Sequence, residues 1–378
     1  MALYGGALPD FPWDSLIPIR ERAARHPDGA VDLTIGTPVD PVPGGVRDAL
    51  CAASDSPGYP PTIGTPALRE AIYDWCARRR GAATRDGLGV LPTIGSKETV
   101  ALLPSLLGLG EGDVVAFPRV AYPTYDVGAR LAGATPLPLD TASDPASWPA
   151  DVSLMWLNSP GNPDGHVLDL AQLRRIVAWA RDRGTVLASD ECYAELTWSV
   201  PEAPSLLDER VNGGRYAGLL SLYSLSKQSN LAGYRAAFIA GDARLIAPLT
   251  EVRKHSGFLT PAPVQAAMTW ALGDEAHVAA QKSLYRSRRE RLLGVLDRAG
   301  LVDDPLSQAG LYIWAADARG AASGWDIVKA CADLGIVVAP GDFYGPAGAD
   351  RVRICLTATD EAVDEAVRRL PRLPDLLG

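Results

Sequence analysis

The stretch Ser224-Leu225-Ser226-Lys227-Gln228-Ser229-Asn230-Leu231-Ala232-Gly233-Tyr234-Arg235 sets a lysine between small hydroxyls, with an arginine eight residues on. Two hydroxyls and a planar guanidinium suit a phosphate monoester, whose oxygens they can satisfy together. A lysine beside such a site points to pyridoxal 5′-phosphate, because its ε-amine can form a Schiff base with the aldehyde. Taken alone, the stretch also fits a surface lysine on a turn with a solvated arginine nearby.

Three further stretches carry compatible chemistry. In Ser189-Asp190-Glu191-Cys192-Tyr193, a carboxylate can pair with a protonated pyridine nitrogen and keep the ring able to accept carbanion electrons. Asp190 is the candidate and Glu191 its competitor. In a continuing strand they point to opposite faces, so one of them reaches the ring. Tyr193 is placed to hydrogen-bond the ring's phenolic oxygen. In Asn158-Ser159-Pro160-Gly161-Asn162-Pro163-Asp164-Gly165, prolines and glycines fix a loop around Asn162 that can hold one amide against a ring. In Thr93-Ile94-Gly95-Ser96-Lys97-Glu98-Thr99, a Gly-Ser pair opens an apolar helix, Val100–Leu107, and offers free N–H groups to an anion. Lys97 is a rival Schiff-base lysine. Lys227 ranks above it because of its flanking hydroxyls and Arg235, which leaves Lys97 to add charge near a phosphate or carboxylate.

These positions need elements that deliver them to one place. Apolar runs predict buried strands at Val114–Phe117, Leu154–Asn158, Thr185–Ser189, Leu219–Tyr223 and Ala236–Ala240. An amphipathic helix over Asp169–Arg183 separates two of them. Strand, helix, strand is a crossover unit, so an α/β fold follows, with a mostly parallel sheet and helices on both faces. In such sheets the site lies at the carboxyl ends of the strands, where the chemistry-bearing stretches fall. A helix is expected over residues 64–81, capped by Thr65, opened by Pro66 and closed by Gly81. Longer helices follow at Ala243–Lys254, Pro263–Gly273 and Ala276–Ala299, then an α+β region over 300–378. Residues 1–45, rich in Pro and Gly, are expected to be extended and to lie on another surface.

Composition narrows the class. The chain has 378 residues, 47% hydrophobic and 21% charged, as in globular proteins, and is long enough for a large core. Its net charge of −9 disfavours nucleic-acid and anionic-membrane binding. Five scattered cysteines without a CxxC, and four histidines without paired spacing, suggest reduced thiols in the cytoplasm and no metal site. No signal peptide or membrane span is expected.

Order and spacing of these motifs resemble the class I/II aminotransferases of PLP fold type I, from Ile35-Gly36-Thr37-Pro38 to Arg353. The resemblance implies a large domain over 46–280 with a seven-stranded-type sheet. It also implies an N-terminal arm and small α+β domain over 1–45 and 281–378. Lys227 matches the lysine that carries the cofactor, Asp190 the pyridinium partner, Tyr193 the ring-oxygen donor and Asn162 the loop amide. Gly95, Ser96, Ser224 and Arg235 match the phosphate cup, with Lys97 and Ser226 beside them. Tyr122 looks like the aromatic that stacks on the ring. Tyr59 resembles the tyrosine that reaches a neighbouring subunit's phosphate, which implies a homodimer with shared sites. Arg353, preferred to Arg351, resembles the arginine that grips the substrate α-carboxylate, and Gly36 would let the chain approach that carboxylate closely. Ser159 and Asp164 depart from the family's loop residues; they flank Asn162 without replacing it, and Asp164 is expected to alter loop capping.

A closer likeness, to actinobacterial N-succinyldiaminopimelate aminotransferases, runs through residues 36–43, 121–134, 224–235 and 339–348. It implies transfer of an amino group between L-glutamate and N-succinyl-2-amino-6-oxopimelate, in diaminopimelate and lysine synthesis. Lys97 and Arg119 are candidates for a second carboxylate grip. Alternatives are a general aminotransferase for aspartate, aromatic or alanine-type substrates and a PLP-dependent carbon–sulfur lyase. A PLP-sensing regulator domain is disfavoured because no basic helix-turn-helix segment precedes residue 30.

Overall fold

A computed structural model describes residues 8–377; residues 1–7 of the arm expected over 1–45 lie outside them. The arm departs from the extended form. Pro12–Leu16 make a 3-10 turn that runs into α1 (Ile17–Ala23). Both segments carry proline in the first turn, where the missing N–H costs nothing. Leu16, Ile19 and Ala23 fall on one helical face and are buried. After β1 (Val31–Asp32) come α2 (Gly44–Ala52) and α3 (Pro66–Arg80). Helix α3 is capped as expected: Thr65 Oγ1 accepts from Leu68 N at 3.2 Å, and Gly81 closes it at φ 67°.

The central region runs β2 (Leu88–Ile94), α4 (Ser96–Leu106), β3 (Val114–Pro118), α5 (Thr124–Ala132), β4 (Thr135–Leu139), β5 (Leu154–Asn158) and α6 (Leu170–Arg183). It continues with β6 (Val186–Asp190), α7 (Glu209–Asn212), β7 (Leu219–Ser224), α8 (Leu225–Gln228) and β8 (Ala236–Asp242). The strands form a seven-stranded sheet in the order β2-β8-β7-β6-β5-β3-β4. Strand β8 alone runs against its neighbours, so the sheet is mostly parallel. The two strands that periodicity missed, β2 and β4, are the sheet's edges, and both contain proline. An edge strand tolerates the lost donor, but proline also hides the strand signal in the sequence. Within β7, Leu220 and Leu222 join one core while Tyr223 joins another, so both faces are buried.

The chain then passes through α9 (Ala243–Ser256), α10 (Ala262–Gly273) and the 21-residue α11 (Ala276–Leu296). Beyond lie β9 (Leu301–Asp303), β10 (Tyr312–Asp317), α12 (Gly324–Asp333), β11 (Ile336–Val337), β12 (Ala339–Pro340), β13 (Arg351–Cys355), α13 (Asp360–Arg369) and α14 (Pro374–Leu377). Strands β12-β13-β10-β9 form a second sheet, and β1 pairs with β11. Leu16, Ile19, Ala23 and Val31 share one core with Tyr285, Leu292, Ile313 and Ile354. The start of the chain is thereby packed onto its end, and residues 33–40 are carried across the sheet's carboxyl edge.

Candidate active site

The carboxyl ends of β5, β6 and β7 border a cavity of about 620 Å³ lined by Asn158, Asp190 and Ser224, which close those strands. At one side lies a donor set for an anion. Gly95 precedes α4 at φ 81° with no side chain capping the helix, which leaves its first N–H groups free. The backbone angle at Gly95 favours glycine, and a Cβ there would also press on the Arg235 guanidinium and displace it. Arg235 itself has φ 57°. Ser224 Oγ donates to Ser226 Oγ at 2.8 Å and accepts from Ser226 N at 3.2 Å. Ser96, Ser224, Ser226, Lys97 and Arg235 all line the cavity. Three hydroxyls, a helix N-terminus and a guanidinium are the chemistry a phosphate monoester requires.

Lys227 projects from α8, and its Nζ donates to the carbonyl of Gly36. Burial pulls its pKa down to about 8, and the charges of Arg353 and Arg235 push the same way against two nearby thiols. Opposite stands Asp190. Its Oδ2 accepts from Tyr125 Oη at 3.1 Å and its Oδ1 from Cys192 N at 3.2 Å. Burial raises the carboxyl above its ordinary range, and these donors pull it back. A pyridinium nitrogen would supply the charge this buried carboxylate lacks. Glu191 faces away, as strand geometry requires: its Oε1 accepts from Leu206 N at 3.1 Å, and Arg80 lies 4.0 Å from its Oε2. Tyr193 Oη and Tyr312 Oη are 2.9 Å apart at the wall.

The proline-rich loop is held from within. Asn162 N donates to Asn158 Oδ1 at 2.8 Å, and Asn158 Nδ2 donates to the Asp190 carbonyl at 3.0 Å. Ser159 Oγ accepts from Leu168 N and Asp164 Oδ1 from His166 N, so both departures from the family loop make local caps. Arg353, 3% exposed, reaches in from β13 between the rings of Tyr312 and Tyr344. It donates to Asn162 Oδ1 at 2.9 Å and to the Thr34 carbonyl at 2.6 Å. Its Nε is buried without a hydrogen-bond partner. Arg351 instead points to the Trp314 carbonyl. Gly36 is backed by Tyr312, whose hydroxyl a Cβ there would meet at 2.5 Å.

The cavity thus gathers Gly36, Ser96, Lys97, Tyr122, Asn162, Asp190, Tyr193, Ser224, Ser226, Lys227, Arg235 and Arg353. Three expected residues are not among those that line it, Gly95, Tyr59 and Arg119; Gly95 stands just behind, against Arg235. Tyr59 is 96% exposed and is not among the residues lining the cavity of its own chain. Arg119 pairs with Asp140 at 3.1 Å and does not line the cavity. Arg20 of α1 lines it instead, along with Phe11, Trp13, Tyr312 and Cys192. Sequence reasoning missed these, and missed Tyr125, in the first turn of α5, as a brace for Asp190. Among the described residues no cluster of three or more His, Cys, Asp or Glu could hold a metal, and no helix is long and apolar enough to cross a membrane.

The family described as aminotransferase class I and II matches residues 29–370. The chain is 55% identical over 363 residues to 4-dedimethylamino-4-oxo-anhydrotetracycline transaminase OxyQ of Streptomyces rimosus, covering 96% of this chain and 99% of that one. It is 52% identical over 364 residues to a probable aminotransferase of Mycobacterium tuberculosis, covering 96% and 85%. Its fold matches that of a probable N-succinyldiaminopimelate aminotransferase from Thermus thermophilus with a TM-score of 0.82 and 28% identity, over 95% and 98% of the two chains.

Proposed function

Since the chain belongs to the class I and II aminotransferase family and is a pyridoxal-phosphate-dependent transaminase, we propose that it moves an amino group from L-glutamate to N-succinyl-2-amino-6-oxopimelate, yielding 2-oxoglutarate and N-succinyl-LL-diaminopimelate. What supports an α-amino acid donor and a 2-oxo acid acceptor is the buried Arg353 guanidinium in the same cavity as Lys227 and Asp190, and what supports this particular oxo acid is the fold shared with the probable N-succinyldiaminopimelate aminotransferase. The Arg353 fork matches an α-carboxylate. Two more cations line the cavity, Lys97 and Arg20; Arg20 is paired with Asp32 at 3.2 Å, which leaves Lys97 as the candidate for a further substrate carboxylate.

Pyridoxal 5′-phosphate, when bound, supplies an aldehyde to receive the amino group and a ring over which carbanion charge spreads. Lys227 is the residue that would hold it, and Lys227 Nζ takes the proton from the donor's Cα. A pKa of about 8 leaves a usable fraction of that amine neutral. Asp190 would stand against the pyridine nitrogen, with Tyr125 and the Cys192 N–H holding it in place. Gly95, Ser96, Lys97, Ser224, Ser226 and Arg235 would take the phosphate, Tyr122 would cover the ring, and Asn162 and Tyr193 would face its oxygen. Arg353 grips the α-carboxylate and Gly36 leaves it room. Tyr59 extends to the phosphate of a second copy, so the working unit is a homodimer. The five cysteines stand unpaired, which suits the reducing cytoplasm.

A second acceptor has a specific observation in its favour: the 55% identity to a transaminase of an oxo-anhydrotetracycline. Phe11, Trp13 and Tyr122 give the cavity an aromatic wall to match. Half-reactions separate the two. The cofactor-loaded enzyme is mixed with L-glutamate, and separately with N-succinyl-LL-diaminopimelate, and the absorbance of the bound cofactor is followed. Conversion by both is expected. Conversion by glutamate alone discards this oxo acid and favours the second acceptor. Failure with both, alongside pyruvate release from cystathionine, points to a carbon–sulfur lyase.

A further inference from the structure

Helix α8, which carries Lys227, is a single turn of four residues, too short to hold its own direction. Asn230, just beyond it, has φ 58°, so the backbone there needs outside support. That support comes from one face of α11. His277, Gln281, Tyr285 and Arg288 follow at spacings of four, four and three, which places them on one stripe. His277 Nε2 lies 2.7 Å from Ser229 Oγ. Gln281 Oε1 accepts from Asn230 Nδ2 at 2.8 Å, and Tyr285 Oη reaches Asn230 Oδ1 at 3.5 Å. On the other side, Gln281 Nε2 donates to Asp40 at 2.8 Å and Arg288 forks onto the same carboxylate at 2.8 and 2.6 Å. Asp40 lies four residues after Gly36, whose carbonyl meets Lys227 Nζ. The stripe therefore holds both the turn that follows Lys227 and the strand-like segment facing it.

The contacts at the His277 end form a continuous chain. The Asp274 carboxyl is held below its ordinary range by the backbone N–H and ring of His277, so it accepts from His277 Nδ1, 2.7 Å away. The other ring nitrogen, Nε2, is then the one that meets Ser229 Oγ. Ser229 Oγ in turn accepts from Gln228 Nε2 at 3.1 Å, and Gln228 Oε1 accepts from Tyr223 Oη at 2.6 Å. The order serine, histidine, aspartate matches a hydrolytic triad, but Ser229 has no exposed surface and no substrate can reach it. Its consequence is geometric.

We propose that His277 is a positioning residue for Lys227, acting through Ser229; this rests on Lys227 being the cofactor-bearing lysine. The test uses the cofactor-loaded enzyme with Ser229→Ala, His277→Ala and His277→Gln, and Lys227→Ala as control. The readouts are kcat and KM for L-glutamate, the pH midpoint of the bound cofactor's absorbance, and Tm. Ser229→Ala and His277→Ala are expected to lower kcat about tenfold or more, as a small misplacement does, with KM within about threefold. The absorbance midpoint shifts in both, and His277→Gln, whose amide still reaches Ser229, restores most of kcat. Wild-type kcat and midpoint in the two alanine variants would overturn the proposal, as would a kcat loss that tracks Tm with the midpoint unmoved. If Lys227→Ala keeps the lysine-bound cofactor absorbance, the assignment of Lys227 fails first, a result the other variants cannot mimic.

Discussion

Lys227 lies where burial and two guanidinium groups favour the uncharged amine, with a pKa brought from 10.5 to about 8. In the cofactor-free protein its reaction with an amine-acylating reagent should therefore rise with a midpoint at about pH 8. A midpoint near the ordinary lysine value would place the side chain in solvent. The sign for stability follows from the same shift. Between about 8 and 10.5 the unfolded chain holds a proton that the folded chain has lost, so the cofactor-free protein gains stability as pH rises through that window. Arg353 makes a different prediction. A charge-assisted pair is worth about 1.5–3 kcal/mol, so Arg353→Ala should raise KM for L-glutamate about ten- to a hundredfold. Arg353→Lys should recover only part of this, because an ammonium keeps the charge and loses the fork. Steady-state kinetics decide it; an unchanged KM would assign the carboxylate to another cation such as Lys97.

The elements bring these groups together because strands of a mostly parallel sheet end on one edge. Asn158, Asp190 and Ser224 close three adjacent strands, and Gly95 follows a fourth. The β2–α4 junction is the tightest of these joints. Gly95 has φ 81° and ψ 154°, a region essentially reserved for glycine, so a side chain there costs about 1–3 kcal/mol, and its Cβ also displaces the Arg235 guanidinium. Gly95→Ala should thus weaken cofactor binding about tenfold or more, measured by titrating the cofactor-free protein and following its fluorescence. Wild-type affinity would show that the phosphate does not use this turn. Most central elements were legible from apolar runs and caps: β5 falls on Leu154–Asn158 as expected, and Asp169 with Gln172 forms the capping box that starts α6. The edge strands were not, since Pro92, Pro136 and Pro138 break the pattern that marks a strand. Helix α11 showed no clean amphipathic stripe, because the face it turns to the Lys227 turn and the Gly36–Asp40 segment is polar: His277, Gln281 and Arg288.

At the scale of the whole molecule, an exposed Tyr59 suits a second copy of the chain. The particle in solution should have twice the chain's 40.0 kDa. Mixing unfolded Tyr59→Ala and Lys227→Ala chains and refolding them should restore about a quarter of wild-type sites at limiting cofactor, since random pairing leaves one whole site in each hybrid dimer. Activity no higher than the sum of the two variants would confine the site to one chain. The sequence by itself determined the central strands of the sheet and the cofactor, and it supplied the residues proposed to hold that cofactor, because each such contact needs a particular group next to a strand end or helix start, and both leave local marks. Only the tertiary structure decided the rest. The arm's Leu16, Ile19 and Ala23 are buried by a core built some three hundred residues later, which brings Arg20, Phe11 and Trp13 to the cavity. Tyr125 reaches Asp190, and Arg353 reaches Asn162 and Thr34, across long separations in the chain. Such contacts depend on where packed elements meet, and the spacing of residues along one segment does not record that.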